Sequence, residues 1–277
     1  MIASLLAAAA LAATAHPIAY ERVEGVATIR PDGSGDRVVV KHADSPTWSP
    51  DGKRLAFVLE NAIWTARADG TDRRRVISLA RGLPFDPAWS PDGKRIAYVQ
   101  YTETPRPGAD DGEVDEHHTV FTVRTDGSGR RAVHGGDEPA WTPTGNHIVL
   151  ASDGVLGIVK PDGTGYRPLV RSDSYISDIA VSRDGRRIAY LQSLGTTAIG
   201  VYDRSTGRNR LLVEGDRTAL IDIAWTPDGK RMAWIEHPIR RSGAVTTRLY
   251  TARPDGSGRT ALFAFPAGSL TIDALAW

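Results

Sequence analysis

A nine-residue phrase returns almost unchanged along this chain, and that repetition constrains the fold more than any other feature. Pro46-Thr47-Trp48-Ser49-Pro50-Asp51-Gly52-Lys53-Arg54 recurs as Pro87-Ala88-Trp89-Ser90-Pro91-Asp92-Gly93-Lys94-Arg95. Looser copies stand at Trp141-Thr142-Pro143-Thr144-Gly145, Val181-Ser182-Arg183-Asp184-Gly185 and Trp225-Thr226-Pro227-Asp228-Gly229, and Trp277 supplies a sixth anchor. The anchors at 48, 89, 141, 181, 225 and 277 are 41, 52, 40, 44 and 52 residues apart. A period of about 40 to 45 residues is that of a four-stranded propeller blade.

Most copies divide into the same four pieces. A short apolar strand ends at the anchor, and Pro-Asp-Gly then turns the chain, with glycine free to adopt positive φ. The second strand is Leu55-Ala56-Phe57, Ile96-Ala97-Tyr98, Ile188-Ala189-Tyr190 or Met232-Ala233-Trp234, its central alanine small where neighbouring sheets approach. A third strand, such as Ala62-Ile63-Trp64-Thr65 or Leu249-Tyr250-Thr251, enters an Asp-Gly hairpin at Asp69-Gly70, Asp126-Gly127, Asp162-Gly163 or Asp255-Gly256. The fourth strand often opens on basic residues, as in Arg73-Arg74-Arg75 and Arg130-Arg131, which suits an outer edge that must resist pairing. The N-terminal region reads as strands two to four of a blade (Pro17–Tyr20, Val26–Ile29, Val38–Val40), and Leu270–Trp277 reads as strand one. The expected fold is therefore all-β: a six-bladed β-propeller over residues 16–277, four antiparallel strands per blade, its last blade closed by one C-terminal plus three N-terminal strands.

Trp-Ser-Pro-Asp-Gly-Lys-Arg followed by Ile/Leu-Ala, then an Ile-Trp strand and Asp-Gly-Ser/Thr, resembles the PD40, or WD40-like, repeat of TolB-type propellers. The resemblance covers residues 16–277 and speaks to fold more than to function. It implies an envelope protein, but the N-terminal α/β domain that precedes the propeller in TolB has no counterpart in these residues. Prolyl-oligopeptidase relatives carry similar repeats beside a hydrolase domain, whereas this chain has no Gly-x-Ser-x-Gly elbow. Oligogalacturonate lyases also resemble the pattern and use a histidine-rich metal centre.

Residues 1–15 form an uncharged Ala/Leu/Ile run ending Ala13-Thr14-Ala15, which reads as an export signal and predicts a periplasmic or secreted protein. With no cysteine, disulfides and thiol chemistry are excluded. The net charge of +1, with both signs interspersed in sequence, gives no reason to expect nucleic acid or an anionic membrane as partner.

Strand alternation sorts the connections onto two faces. The Pro-Asp-Gly and Asp-Gly turns share a uniform face; the strand two-to-three and blade-to-blade connections share a variable one, where function is expected. Residues 103–118 read as a long acidic connection with Asp110, Asp111, Glu113, Asp115 and Glu116 ahead of His117-His118, and a second insertion at 237–246 carries Arg240 and Arg241. His118, His134 and His237 map to the same face. A third constellation precedes the anchors: Asp44, Asp86, Asp137, Asp178, Asp222 and Asp273, an acidic ring at the channel mouth or a set of turn caps. Asp44, Asp137 and Asp273 lie four residues before their anchors and the others three, so one register must be adjusted by a bulge for all to share a face. The sequence thus predicts a monomeric, non-catalytic scaffold without cofactor, binding a protein or peptide through this face, with no membrane span in the mature chain. The alternative is a metal-dependent polysaccharide lyase or hydrolase using His118, His134 or His237 with acidic neighbours.

Overall fold

The computed structural model describes residues 17–30, 34–106, 108, 113–194, 196–214, 218–226, 228–238 and 247–264. Their 23 strands form six sheets arranged as the blades of a propeller. The chain begins in the sixth blade with β1 (Ile18–Arg22), β2 (Gly25–Ile29) and β3 (Arg37–Lys41). Blade one is β4 (Asp44–Trp48), β5 (Arg54–Leu59), β6 (Ala62–Arg67) and β7 (Arg74–Ser78); blade two is β8 (Leu83–Trp89), β9 (Arg95–Pro105), β10 (Val114–Arg124) and β11 (Arg131–Gly135). Blade three comprises β12 (Asp137–Trp141), β13 (Ile148–Ser152), β14 (Val155–Val159) and β15 (Arg167–Arg171). Blade four comprises β16 (Tyr175–Val181), β17 (Arg187–Leu194), β18 (Thr196–Asp203) and β19 (Arg208–Glu214). Blade five is β20 (Thr218–Trp225), β21 (Met232–Pro238), β22 (Arg248–Ala252) and β23 (Thr260–Ala264). Five sheets are four-stranded, pairing consecutive antiparallel strands, and the sixth has three described strands. The predicted closing strand at 270–277, with Trp277, and the signal at 1–15 lie outside the described residues. None of the described residues forms a helix long and apolar enough to cross a membrane.

The hydrophobic core is divided among the blade interfaces. Six buried clusters each join two neighbouring blades. One packs Ala233, Ile235 and Leu249 of blade five on Ile18, Tyr20 and Ile29 of blade six, and another packs Ala19 and Val40 of blade six on Trp48 and Phe57 of blade one, so apolar packing runs round the whole ring. The central alanines of the second strands, Ala19, Ala56, Ala97, Ala189 and Ala233, are fully buried in these seams. Trp48, Trp141 and Trp225 are buried, and the indoles of Trp141 and Trp225 each donate across a seam, to Ala88 O and Ala180 O, at 3.1 Å.

The turns explain the repeated phrase. Ser49 Oγ donates to Asp51 Oδ1 at 2.7 Å and accepts from Arg54 N at 2.9 Å, and the Gly52 N–H closes the turn on Ser49 O at 2.8 Å. Ser90, Asp92 and Gly93 repeat the arrangement. Glycine is required in the second turn for another reason: Gly70 has φ of 82°, and a Cβ there would lie 2.1 Å from Val39 O on the preceding blade.

One sequence expectation needs correction. The acidic stretch at 103–118 is strand at both its ends, over 103–105 and 114–118. Strands β9 and β10 extend as a paired arm, Tyr101 opposite His118, Glu103 opposite Glu116 and Pro105 opposite Val114. Thr102, Thr104, Val114 and Thr119 give the arm strand-forming residues, and Arg106 holds Asp115 at 2.8 Å and Glu113 at 3.0 Å, offsetting the repulsion that made the segment read as irregular.

Candidate functional site at the channel mouth

The innermost strand of each of blades one to five carries a bulge at one fixed place, three residues before the anchor. Ser45, Asp86, Glu138, Asp178 and Asp222 occupy it, all with left-handed backbone (φ of 48°, 47°, 56°, 51° and 50°). Aspartate tolerates this region better than most residues, which accounts for its recurrence there. Because the bulge falls at the same place in each of these blades, it does not bring the two registers together. The ring then resolves into two rows: Asp86, Asp178 and Asp222 on the bulge, joined by Glu138, and Asp44 and Asp137 one residue earlier.

The bulge row faces the axis. Asp86 of blade two feels the charge of Asp178 on blade four as well as Asp137 and Asp44, and Glu138 feels Asp86, Asp178 and Asp222. Interaction between blades that are not neighbours requires the side chains to look into the channel. Burial first, then this mutual repulsion, pushes Asp86 up to about 6 and Glu138 well above the usual carboxylate range. Glu138 accepts the Asp178 N–H, and Asp178 Oδ2 accepts the Ser177 hydroxyl at 2.8 Å. Asp44 is raised by burial, with its Oδ1 buried and without a hydrogen-bond partner among the described residues. Asp222 is 6% exposed.

Aromatic side chains rim this well. Phe85, beside Asp86, meets Tyr101 edge-on at 6.3 Å between centroids; Tyr101 meets His118 edge-on at 5.2 Å; and His118 Nδ1 bonds Asp137 Oδ1. A continuous line thus runs from the acidic channel along the foot of the arm. Tyr175, 57% exposed, lies within the field of Asp137, Glu138, Asp86 and Asp178; partial burial and then those charges push its hydroxyl up to about 12. Phe85, Leu83 and Tyr175 are large apolar side chains left open to solvent around one acidic opening, a combination suited to a cation carried on an apolar stem.

The other sequence candidates do not converge here. Glu113 and Asp115 are tied to Arg106 on the arm, and His117 Nε2 lies 2.9 Å from Thr104 Oγ1. Glu116 is exposed on the arm and in the field of Tyr101. His134 stacks on Tyr166 with centroids 4.0 Å apart, and His237 Nδ1 lies 2.9 Å from Thr247 Oγ1. The histidines therefore occupy separate local settings, and among the described residues no three His, Asp or Glu side chains come together to hold a metal ion. Asp110, Asp111, Arg240, Arg241 and Asp273 lie outside the described residues. Glu138 and the rim aromatics escaped sequence reasoning. Glu138 sits beside the more conspicuous Asp137, and the signal that locates it is its distance of three residues from Trp141.

Comparison with solved structures places this geometry in context. TolB of Acinetobacter baumannii superposes with a TM-score of 0.74 over 95% of this chain and 66% of its own, at 19% identity. The fold is that of the TolB propeller. A puromycin-hydrolyzing peptidase of Mycobacterium tuberculosis superposes with a TM-score of 0.64 at 16% identity, covering 89% of this chain but 42% of that one. Among curated proteins, dipeptidyl-peptidase 5 of Porphyromonas endodontalis is 30% identical over 227 residues, 74% of this chain. This chain spans 32% of that relative's length. No family model matches the chain.

Proposed function

We propose that the protein is a non-catalytic binding module, exported from the cytoplasm, whose channel mouth takes a cationic segment of a partner protein or peptide. The observation that supports this reading is the axial row of Asp86, Glu138, Asp178 and Asp222, in which burial and then the repulsion of neighbouring carboxylates raise the proton affinity of Asp86 and Glu138. Carboxylates that repel one another are relieved by a bound cation as well as by a proton. A lysine or arginine stem also has apolar surface to lay against Phe85 and Tyr175, and the arm stands beside the opening as a second contact.

The test is isothermal titration of the protein with a short Lys/Arg-containing peptide and with the same peptide carrying Glu at those positions. The basic peptide binds, and the combined Asp86→Asn, Glu138→Gln and Asp178→Asn variant weakens it at least tenfold. Equal binding of the acidic peptide overturns the proposal.

A second reading is favoured by the dipeptidyl-peptidase relative: the ring is the propeller portion of a peptidase, and the mouth admits substrate peptides. It predicts release of dipeptides from a peptide substrate by the purified protein. Turnover in that assay replaces the scaffold reading.

A further inference from the structure

The net charge of +1 conceals a segregation by face. In every blade the connection between strands one and two and that between strands three and four must lie on the same side, because consecutive strands are antiparallel. Basic residues recur at these connections: Lys53, Lys94 and Lys230 after the first turn, and Arg67, Arg124 and Arg253 before the second. Most carboxylates of this face sit inside the turns as acceptors, as Asp92 does for the Lys94 N–H at 3.1 Å and Asp126 for the Ser128 N–H at 2.9 Å, while Asp72 is shared among Arg54, Arg67 and Arg74 and Asp36 pairs with Arg22. The carboxylates of the channel mouth and the arm lie on the opposite face.

Clefts between neighbouring blades open on the turn face, and two of them are rich in basic residues. The larger, about 550 Å³, lies between blades four and five and is lined by Arg187, Arg208, Arg210, Lys230 and Arg253, with Asp203 and Asp255 as its carboxylates. Both carboxylates are occupied locally: Asp203 accepts from Ser205 N, Ser205 Oγ and Thr206 N and pairs with Arg186 at 3.2 Å, and Asp255 accepts from Ser257 N. None of the five cations has a carboxylate at ion-pair distance among the described residues. The second cleft, about 340 Å³, lies between blades two and three with Arg95, Arg131 and Lys160 against Asp162.

We infer that the turn face docks on a bilayer surface rich in anionic phospholipid headgroups, with the inter-blade clefts receiving phosphates. The shape of the face decides the occupant. Short uniform turns make it a disc edged with cations round the ring, which matches a planar array of phosphates. A single-stranded nucleic acid is held by exposed aromatic platforms. The exposed large apolar side chains among the described residues lie elsewhere: Val23, Leu83, Phe85 and Tyr175 at variable-face connections, and Leu211 on an outer strand. Contact is therefore electrostatic and peripheral, without insertion. Docking by this face leaves the channel mouth directed away from the membrane, so both sites can be filled at once.

The experiment is co-sedimentation of the full chain with vesicles of phosphatidylcholine alone and of phosphatidylcholine mixed with phosphatidylglycerol. The protein sediments with the mixed vesicles only, and molar salt releases it, because exposed charges are screened within a few ångströms there. At roughly fivefold in affinity per basic residue near an anionic surface, Arg208→Glu, Lys230→Glu and Arg253→Glu together lower partitioning by at least on the order of a hundredfold, the factor for loss of the three positive charges alone. A parallel variant at the second cleft, Arg95→Glu with Arg131→Glu, moves partitioning in the same direction. Unchanged melting temperature certifies the fold of each, and at least one must fold. Indifference to phosphatidylglycerol, or undiminished partitioning of a folded variant, overturns the proposal. So does capture of the protein by soluble heparin with no vesicle binding, which assigns the face to a soluble polyanion.

Discussion

Asp86 shows how one residue carries both a structural and an electrostatic duty. Its backbone is left-handed at φ of 47°, and its carboxyl is held at about 6 by burial and by Asp178, Asp137 and Asp44, against the opposing charge of His118. An unfolded aspartate titrates near 3.9, so between about 4 and 6 the native state holds the extra proton. The sign follows: relief of this repulsion is present at the acid end of that window and is lost as pH rises through about 6. The turn aspartates act in the opposite sense. Asp92 and Asp184, held low by Ser90 and Ser182, stabilise the fold at neutral pH, and that contribution fades only as pH falls below about 4. Thermal unfolding midpoints of wild type and Asp86→Asn, measured from pH 7 to pH 5, isolate the group. Their difference in favour of the variant is largest at pH 7 and shrinks toward pH 5. A constant difference would refute the raised titration. The ring itself was half legible in the sequence. Aspartates three residues before an anchor are visible as letters, but the bulge that turns them inward depends on pairing between strands. Glu138 differs from its counterparts in letter and shares only their place.

At the level of elements, the anchors act through the seams between blades. Trp141 is 9% exposed, packs among Ala97, Val99, Ile148 and Leu150, and donates to Ala88 O at 3.1 Å. Trp89 occupies the same place in its repeat, yet is only partly buried and its indole N–H has no bond partner among the described residues. Trp141→Ala accordingly costs about 3 to 5 kcal/mol, the range for deleting a buried large aromatic, and Trp89→Ala costs less. Chemical denaturation of the two variants checks the order, and equal losses would deny the cross-seam bond its role. The same repeats made strands β1 to β3 and the second strands of blades one, two, four and five legible, because alternation and turn residues agree there. The arm was not legible. Glu103, Glu113, Asp115 and Glu116 suggest a solvated loop, and only cross-strand pairing with Thr102, Thr104 and Arg106 reveals a hairpin. Charge pattern outweighed β-propensity in the reading; in the molecule the order is reversed.

The whole molecule is a ring in which every blade leans on two others, and the sixth blade tests that dependence. Ile18, Ala19 and Tyr20 of β1 are fully buried, packed between blades five and one, yet β1 pairs with only one strand, β2, among the described residues. In the other blades the equivalent strand is flanked on both sides. Residues 270–277 carry the apolar alternation and the Trp277 anchor that this place demands, which makes them the candidate fourth strand. Removing them would leave the backbone donors and acceptors of β1 facing the channel, an unpaired edge with a strong tendency to pair with another chain. The truncated protein is expected to melt at a lower temperature and to form dimers or larger species by light scattering. Its surviving seams, supplied by β1 to β3, should keep the midpoint from vanishing altogether. Residues 270–277 act from outside the ring if truncation leaves both melting and mass unchanged. A melting point restored by adding the 270–277 peptide in trans places them inside it, since a strand supplied from solution regains stability only by filling an open edge.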